Sequence, residues 1–390
     1  MIWFWWSSGI LLAVIWLWRV ADAAIGMRTV PDLADPEFDH QPQFAPKVSI
    51  IVPARNEEAH VRPALSSLLQ LNYPNYEVMV VDDRSSDATG QILDQIAAEH
   101  TRQPELKVIH VSHLPAGWLG KPHAMWLAAE QAKADWLLFT DADITFRSDV
   151  LRRAMAYVGK SSADHLVIFP SMTGWSLGKK ILLAGFNILF VFGHRPWKVA
   201  DPKSRDHLGV GAFNLVRREA YEAAGTFQAL RMEVIEDMRL GKMVKDSGAA
   251  QRCAYGTDMI TLQWGDGALG IIENLTKNFF ALVHFKVGRA LGACALLLFL
   301  NLLPFVGVLL APGWSRLGFA GALLGIFCMY LGMHIRAPIS PWFFFFHPIS
   351  TLLLVYTMLR SMGHVLWHGG IVWRDTKYSL AELKRGLIRG

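Results

Sequence analysis

The sequence predicts an α/β domain built on a mostly parallel, Rossmann-like sheet, flanked on both sides by transmembrane helices. Three observations predict it. Short β-branched runs alternate with amphipathic stretches between residues 48 and 140. Two of those runs stop at close pairs of aspartates. The long apolar stretches lie before residue 21 and after residue 286. Strand–helix alternation builds a doubly wound parallel sheet, and such sheets bind ligands outside the carboxyl ends of their strands.

The first apolar stretch, residues 2–20 (IWFWWSSGILLAVIWLWRV), is about one bilayer long, with Trp at both edges. A cleaved signal peptide is the rival reading. The start carries no Lys or Arg, so an uncleaved anchor over residues 1–22 is expected. Residues 31–46 are rich in Pro and Asp, and 23–46 reads as a linker.

Residues 48–52 (VSIIV) form the first buried strand, ended by Pro53-Ala54-Arg55-Asn56. Glu57-Glu58 open a helix, where acids suit the dipole. A second strand, 76–81, stops at Asp82-Asp83, and a helix follows over 88–99. Then come a strand at 107–111, a helix at 121–133, and a strand at 136–140 that ends at Asp141-Ala142-Asp143. The domain is expected to run over 47–280, with two or three spans in 281–368 and a basic tail at 369–390. Residues 181–193 are apolar but short for a span, which leaves an interfacial or a core helix.

Composition limits the function classes. Hydrophobic residues make up 52% and charged residues 18%, below the roughly 25% of an average soluble domain. Disorder is excluded on that ground and a fully soluble chain is not expected, and the 15 Trp and 22 Phe suit membrane interfaces. The net charge is +5 with no long Lys/Arg run, which suits a membrane surface and gives no nucleic-acid footprint. Three scattered cysteines provide neither a disulfide framework nor metal-ligand spacing. Arg19 and Arg28 favour a cytosolic domain, and Arg374, Lys377, Lys384, Arg385 and Arg389 favour a cytosolic tail. Three crossings between them would separate the two, so one late apolar stretch is expected to be re-entrant, interfacial or hairpin-like.

The acids carry the chemistry. Asp141 and Asp143 at spacing i, i+2 point one way in an extended segment, and two carboxylates suit Mg²⁺ completed by substrate phosphates. A turn or helix cap is the alternative. Asp82 and Asp83 repeat the pattern one strand earlier, where an acid can hold a ribose or nucleobase or cap the next helix. Glu236-Asp237 open a later helix, and a carboxylate near a reacting hydroxyl can act as general base.

In order along the chain stand VSIIVPARNEE, VVDDRSSDATG, LGKPHA, FTDAD, GVGAFNLVRREAYEAAGTF and IEDMRLG. As a set they resemble the inverting, GT-A-fold glycosyltransferases of family 2, over about residues 47–248. LPAGWLGK (114–121) and WRDTKY (373–378) are similar to membrane members that glucosylate carotenoids, hopanoid-associated lipids or ceramide. The resemblance implies roles. Pro53, Ala54, Arg55 and Glu57 would line the nucleotide pocket. Asp83 would hold a uracil with Asp82 in support, and Lys121 would approach the phosphates. Asp143 would be the main ligand of Mg²⁺ or Mn²⁺, with Asp141 shared between metal and sugar. Gly211 and Asn214, in GVGAFN, would face the donor sugar and the acceptor. Asp237, beside Glu236, would be the catalytic base.

The implied reaction moves a hexose from a UDP-sugar to a membrane lipid at the inner cell membrane. The QxxRW motif of many membrane members is absent, and residues 274–278 (NLTKN) give only an echo with Lys277 as its cation. That absence and the few spans argue against a processive polysaccharide synthase. A nucleotidyltransferase would want a glycine-rich loop where PARNEE stands. The intact acids argue against a non-catalytic subunit.

Overall fold

The structure is a computed structural model that describes residues 2–387 apart from Gln43, Arg374 and Asp375. The chain divides into two compact units.

The first holds 30–173, 198–263 and 372–390. Its strands are β1 (Val48–Ala54), β2 (Tyr76–Asp83), β3 (Glu105–Val111), β4 (Trp136–Phe139), β5 (Ile144–Phe146), β6 (His165–Phe169), β7 (Ser171–Met172), β8 (Asn214–Arg217), β9 (Gln251–Tyr255) and β10 (Ile260–Leu262). Seven of them form one sheet in the order β3-β2-β1-β4-β8-β6-β9. Every neighbour pair is parallel except those of β8, which runs against β4 and β6. The reversed strand therefore presents its amino end, Asn214, at the edge where the other strands present their carboxyl ends. A small sheet, β5-β10-β7, flanks the large one.

Side chains alternate between two cores, as the pleat requires. Ile50, Val52, Val78, Val80, Leu138 and Leu215 face one core with helices Val61–Leu68 and Val150–Ser161. Ile51, Met79, Val81, Leu137, Phe139 and Val216 face the other with helices Gly120–Gln131 and Glu236–Asp246.

The segment expected as a linker is pinned to this unit. Leu33 N–H donates to Tyr255 O, and buried Arg153 donates to the carbonyls of Leu33, Ala34 and Asp35. The tail is folded too: helix Leu380–Gly386 starts with a Ser379/Glu382 capping box. Arg374 and Arg389, used above for orientation, and Asp375 of WRDTKY lie outside the described residues.

The second unit holds 1–29, 174–197 and 264–371. Among the described residues, five helical segments are long and apolar enough to cross a membrane: Ile2–Thr29, Leu177–Lys198, Val287–Leu310, Gly313–His334 and Pro341–Trp367. The second is longer than its apolar run suggested, because the helix starts at Leu177 behind a Ser176 cap. It groups with the other apolar helices through contact with helix His347–Trp367, where a Cβ on Gly185 would meet the Ser350 side chain. The expected single domain over 47–280 is thus interrupted at 174–197 and ends near 263. Many side chains here are both large and exposed, among them Leu309, Leu310, Ile335 and Trp367. That surface suits a lipid environment.

Candidate active site

The expected acids meet at the common edge of β1, β2, β4 and β8. Lys121, in the first turn of helix Gly120–Gln131, lies 2.5 Å from Asp141 Oδ1 and 2.7 Å from Glu236 Oε1. These three side chains, with Gly211, Asn214 and Asp237, line one small pocket floored by Phe139, Met125 and Phe227. Burial alone would lower the Lys121 pKa, but the carboxylates of Asp141, Glu236 and Asp237 hold it above its ordinary value.

The loop before β8 is sewn to the end of β4. Asp141 N–H donates to Gly211 O at 3.1 Å, and Thr140 Oγ1 donates to Ala212 O at 2.8 Å. A Cβ on Gly211 would stand 2.6 Å from Asp141 Oδ2 and 3.6 Å from Asp237 Oδ2. Only glycine leaves room between the two acids.

Glu236 and Asp237 open helix Glu236–Asp246, as expected. Their environments differ. Glu236 is engaged by Lys121, whereas Asp237 carries no ion pair among the described residues and accepts only the Met238 N–H. Burial and the charge of Glu236, partly offset by Lys121, push the Asp237 carboxyl up to about 7. A carboxylate poised near neutrality is suited to general-base work. Of the two acids expected to be catalytic, Glu236 holds Lys121 and Asp237 is left without an ion pair among the described residues.

The chain turns at Ala142-Asp143 rather than staying extended, so the i, i+2 argument does not hold literally. The two acids nevertheless remain electrostatic neighbours. Burial, then the charges of Asp141 and Glu57, push Asp143 up to about 6. Such crowding is what a cation relieves. Among the described residues no three His, Cys, Asp or Glu side chains converge on one point. Two carboxylates with substrate oxygens completing the shell fit Mg²⁺ or Mn²⁺ chemistry.

Pro53 and Ala54 end β1 beside Val81 and Asp82, and both are buried. Asp82 accepts from the Ser85 N–H and lies 3.0 Å from His110 Nδ1. Asp83 is fully buried and held by both arms of Arg84, at 2.8 and 3.1 Å, with Arg55 Nη1 at 3.9 Å. A Cβ on Gly120 would fall 2.1 Å from Asp83 Oδ2, so the acid is tucked against the start of the Lys121 helix. The acid expected to hold a base thus holds Arg84. Sequence reading assigned Arg84 no role, although it follows the acid pair directly. The regular helix after β1 starts at Val61, and Glu57 precedes it, its N–H donating to Thr89 Oγ1. Lys277 lies on helix Gly267–Leu282, outside this unit.

Residues 49–225 match the family model for glycosyl transferase family 2. The 4,4'-diaponeurosporenoate glycosyltransferases of two Staphylococcus aureus strains are each 23% identical over 388 residues, covering 97% of this chain and 99% of their own. The protein is a glycosyltransferase. A mannosyltransferase from Pyrobaculum calidifontis, solved with GDP-mannose and Mn²⁺, matches the enzyme with a TM-score of 0.57 at 17% identity. It covers 93% of this chain and 99% of its own, and the likeness establishes the GT-A fold of the glycosyltransferase.

Proposed function

We propose that the enzyme moves a hexose, glucose first among candidates, from a UDP-sugar to a hydroxyl or carboxyl of a membrane lipid, inverting the anomeric configuration. The observation that carries this reading is the pocket where Asp237, raised to about 7, faces Asp141 and Gly211 at the carboxyl ends of the strands. Asp237 takes the proton from the acceptor. The freed oxygen attacks the anomeric carbon as the nucleoside diphosphate leaves from the opposite side. Lys121 keeps Glu236 and Asp141 in place and supplies positive charge beside the reacting centre. Asp141 and Asp143 would hold Mg²⁺ or Mn²⁺, which supplies Lewis-acid stabilisation of the departing diphosphate.

A lipid acceptor is supported by the apolar helices and by the name of the staphylococcal relatives. Sheet topology supports a particular membrane path. β8 and β9 follow the Leu177–Gly193 helix yet share a sheet with β1, β4 and β6, which mainly precede it. Both flanks of that helix therefore lie on one side, and it enters and leaves by the same face. Gly386 packs on Met232, so the tail also lies on that side. Between residues 263 and 372 the number of crossings is then even, so at most two of the three late segments cross. We place the domain in the cytoplasm, as Arg19 and Arg28 favour. Reporter fusions at residues 200 and 387 should both read cytoplasmic; opposite readings would sink this path.

The function is tested in membranes that contain the full chain. They receive labelled UDP-glucose, then other nucleotide sugars, with Mg²⁺ or Mn²⁺ and total bacterial lipid. The expected result is label in the organic phase that disappears with EDTA and with Asp237→Asn. Label confined to water-soluble product would remove the lipid acceptor from the account.

A further inference from the structure

A buried chain of side chains behind the pocket fixes which way Asn214 faces. Asn214, His165 and Gln251 are each at most 2% exposed. They lie on the adjacent strands β8, β6 and β9, on the face covered by the Asp237 helix. The hydrogen bonds can be read in only one direction. Leu208 N–H donates to Gln251 Oε1 at 2.9 Å, so the Gln251 amide nitrogen points the other way. Its two N–H bonds serve three acceptors, one going to His165 Nδ1 at 2.6 Å and the other shared between Gly241 O at 3.0 Å and Leu208 O at 3.2 Å. A flipped Gln251 would set its oxygen against two carbonyls and leave the Leu208 N–H facing an NH₂.

His165 Nδ1 therefore accepts, and the ring proton sits on Nε2. Nε2–H donates to Asn214 Oδ1. The Asn214 amide nitrogen is then left with its two N–H bonds and no other protein partner among the described residues, in a side chain that lines the pocket with Asp141 and Asp237. Burial favours the neutral His165 ring, lowering its pKa to about 4.

We propose that Gln251 and His165 act as positioning residues that lock Asn214 with its NH₂ toward the pocket, where it donates to an oxygen of the transferred sugar. This rests on the reading of the pocket as a sugar-nucleotide site. The same chain ties Asn214 to Leu208, just before the Gly209–Asn214 loop, and to Gly241 in the helix that starts with Glu236-Asp237. A buried hydrogen-bonded network of this kind rigidifies the groups it joins.

The test uses the full chain in membranes and whichever sugar nucleotide the wild type consumes. It compares Asn214→Ala, Asn214→Asp, His165→Phe and the double variant His165→Phe/Asn214→Ala. The readouts are kcat, KM and binding of the nucleoside diphosphate alone. Both Asn214 variants should lose about tenfold or more in kcat/KM, while the diphosphate, which has no sugar, binds within about twofold of wild type. His165→Phe should cost a similar factor alone and less than about twofold in the Asn214→Ala background, since coupled residues are not additive. Equal losses from His165→Phe in both backgrounds would overturn the relay, as would an Asn214→Ala enzyme with unchanged kcat/KM. Should His165→Phe fail to fold, Asn214→Asp decides: it still accepts from His165 but turns an acceptor toward the sugar, and unchanged kcat/KM would sink the idea. A wild type that consumes no sugar nucleotide overturns both this inference and the function it rests on, whereas failure of the relay in an active enzyme leaves the function standing.

Discussion

In the sheet unit, glycines stand where an active-site acid needs room: Gly211 between Asp141 and Asp237, and Gly120 against Asp83. In the helical unit, Gly318 stands where two backbones touch. A Cβ on Gly318 would fall 2.5 Å from the Gly9 carbonyl carbon, joining helix Arg316–His334 to helix Ile2–Gly26. Polar groups divide in the same way. The pocket buries Lys121 among carboxylates; the apolar helices bury the polar pairs Tyr330 with His347, His347 with Asn301, and Trp16 with the Leu300 carbonyl, along with the basic side chains of Lys179 and Arg19. Helices suited to lipid gain little from apolar burial against each other, so close packing and neutral hydrogen bonds join them. The pocket gathers its buried charges at the carboxyl ends of the strands. One chain thus serves two solvents, and the same residue type has a different consequence in each.

The largest effect is expected at the acid that carries the reaction. Asp237→Asn should lower kcat by about 10²–10⁴-fold, with nucleoside diphosphate binding and thermal stability close to wild type. Retained turnover would mean that another group takes the proton.

A matched glycine pair breaks or sharpens the comparison directly. Gly211→Ala forces the Asp141 carboxylate away from its place and should cost about tenfold or more in kcat/KM with little change in thermal midpoint. Gly318→Ala should do the reverse, losing about 1–3 kcal/mol of stability while the folded fraction keeps its turnover. If both variants lose activity and stability alike, the two regions are not doing different jobs.

pH dependence comes next. A general base works deprotonated, and the Asp237 carboxyl sits near 7 in the free enzyme, so kcat/KM should rise with pH and level off above about 7. Lys121 lowers the Asp237 pKa, so Lys121→Met should move that limb to higher pH as well as lowering the plateau. A limb that stays in place would detach Lys121 from the base.

The smallest effect is expected at His110, whose pKa is raised by Asp82 and then Asp94. Its raised folded value means the contribution is full below the unfolded pKa of about 6.5 and is lost as pH rises through the folded one. His110→Ala should lower the thermal midpoint slightly at pH 5.5 and not at pH 9.

The strands at 48–54, 76–83 and 136–139 were legible because each is a β-branched or apolar run stopped by polar residues. Asp141 stood out because it ends a strand, whereas Asp237 and Lys121 were singled out only through the resemblance of the ordered motifs. The reversal of β8 was not legible: NLVR carries no mark of direction, and it is this reversal that brings Asn214 to the acids. Nor was the break in the domain at Gly174, because an apolar helix of 17 residues reads equally as core or as membrane surface. His165 opens the apolar run LVIF and resembles a strand residue at a border; its partner Gln251 is 86 residues away. Arg84 was visible but unassigned, since only the fold shows its guanidinium turned back onto Asp83.

The central claim is that Asp237 acts as a base in one direct displacement and not as a nucleophile. The anomeric configuration of the purified product, read by NMR, tests it most directly. The account predicts a linkage of opposite configuration to the donor sugar. A product that keeps the donor's configuration would contradict it and would require a different role for the buried acids around Lys121.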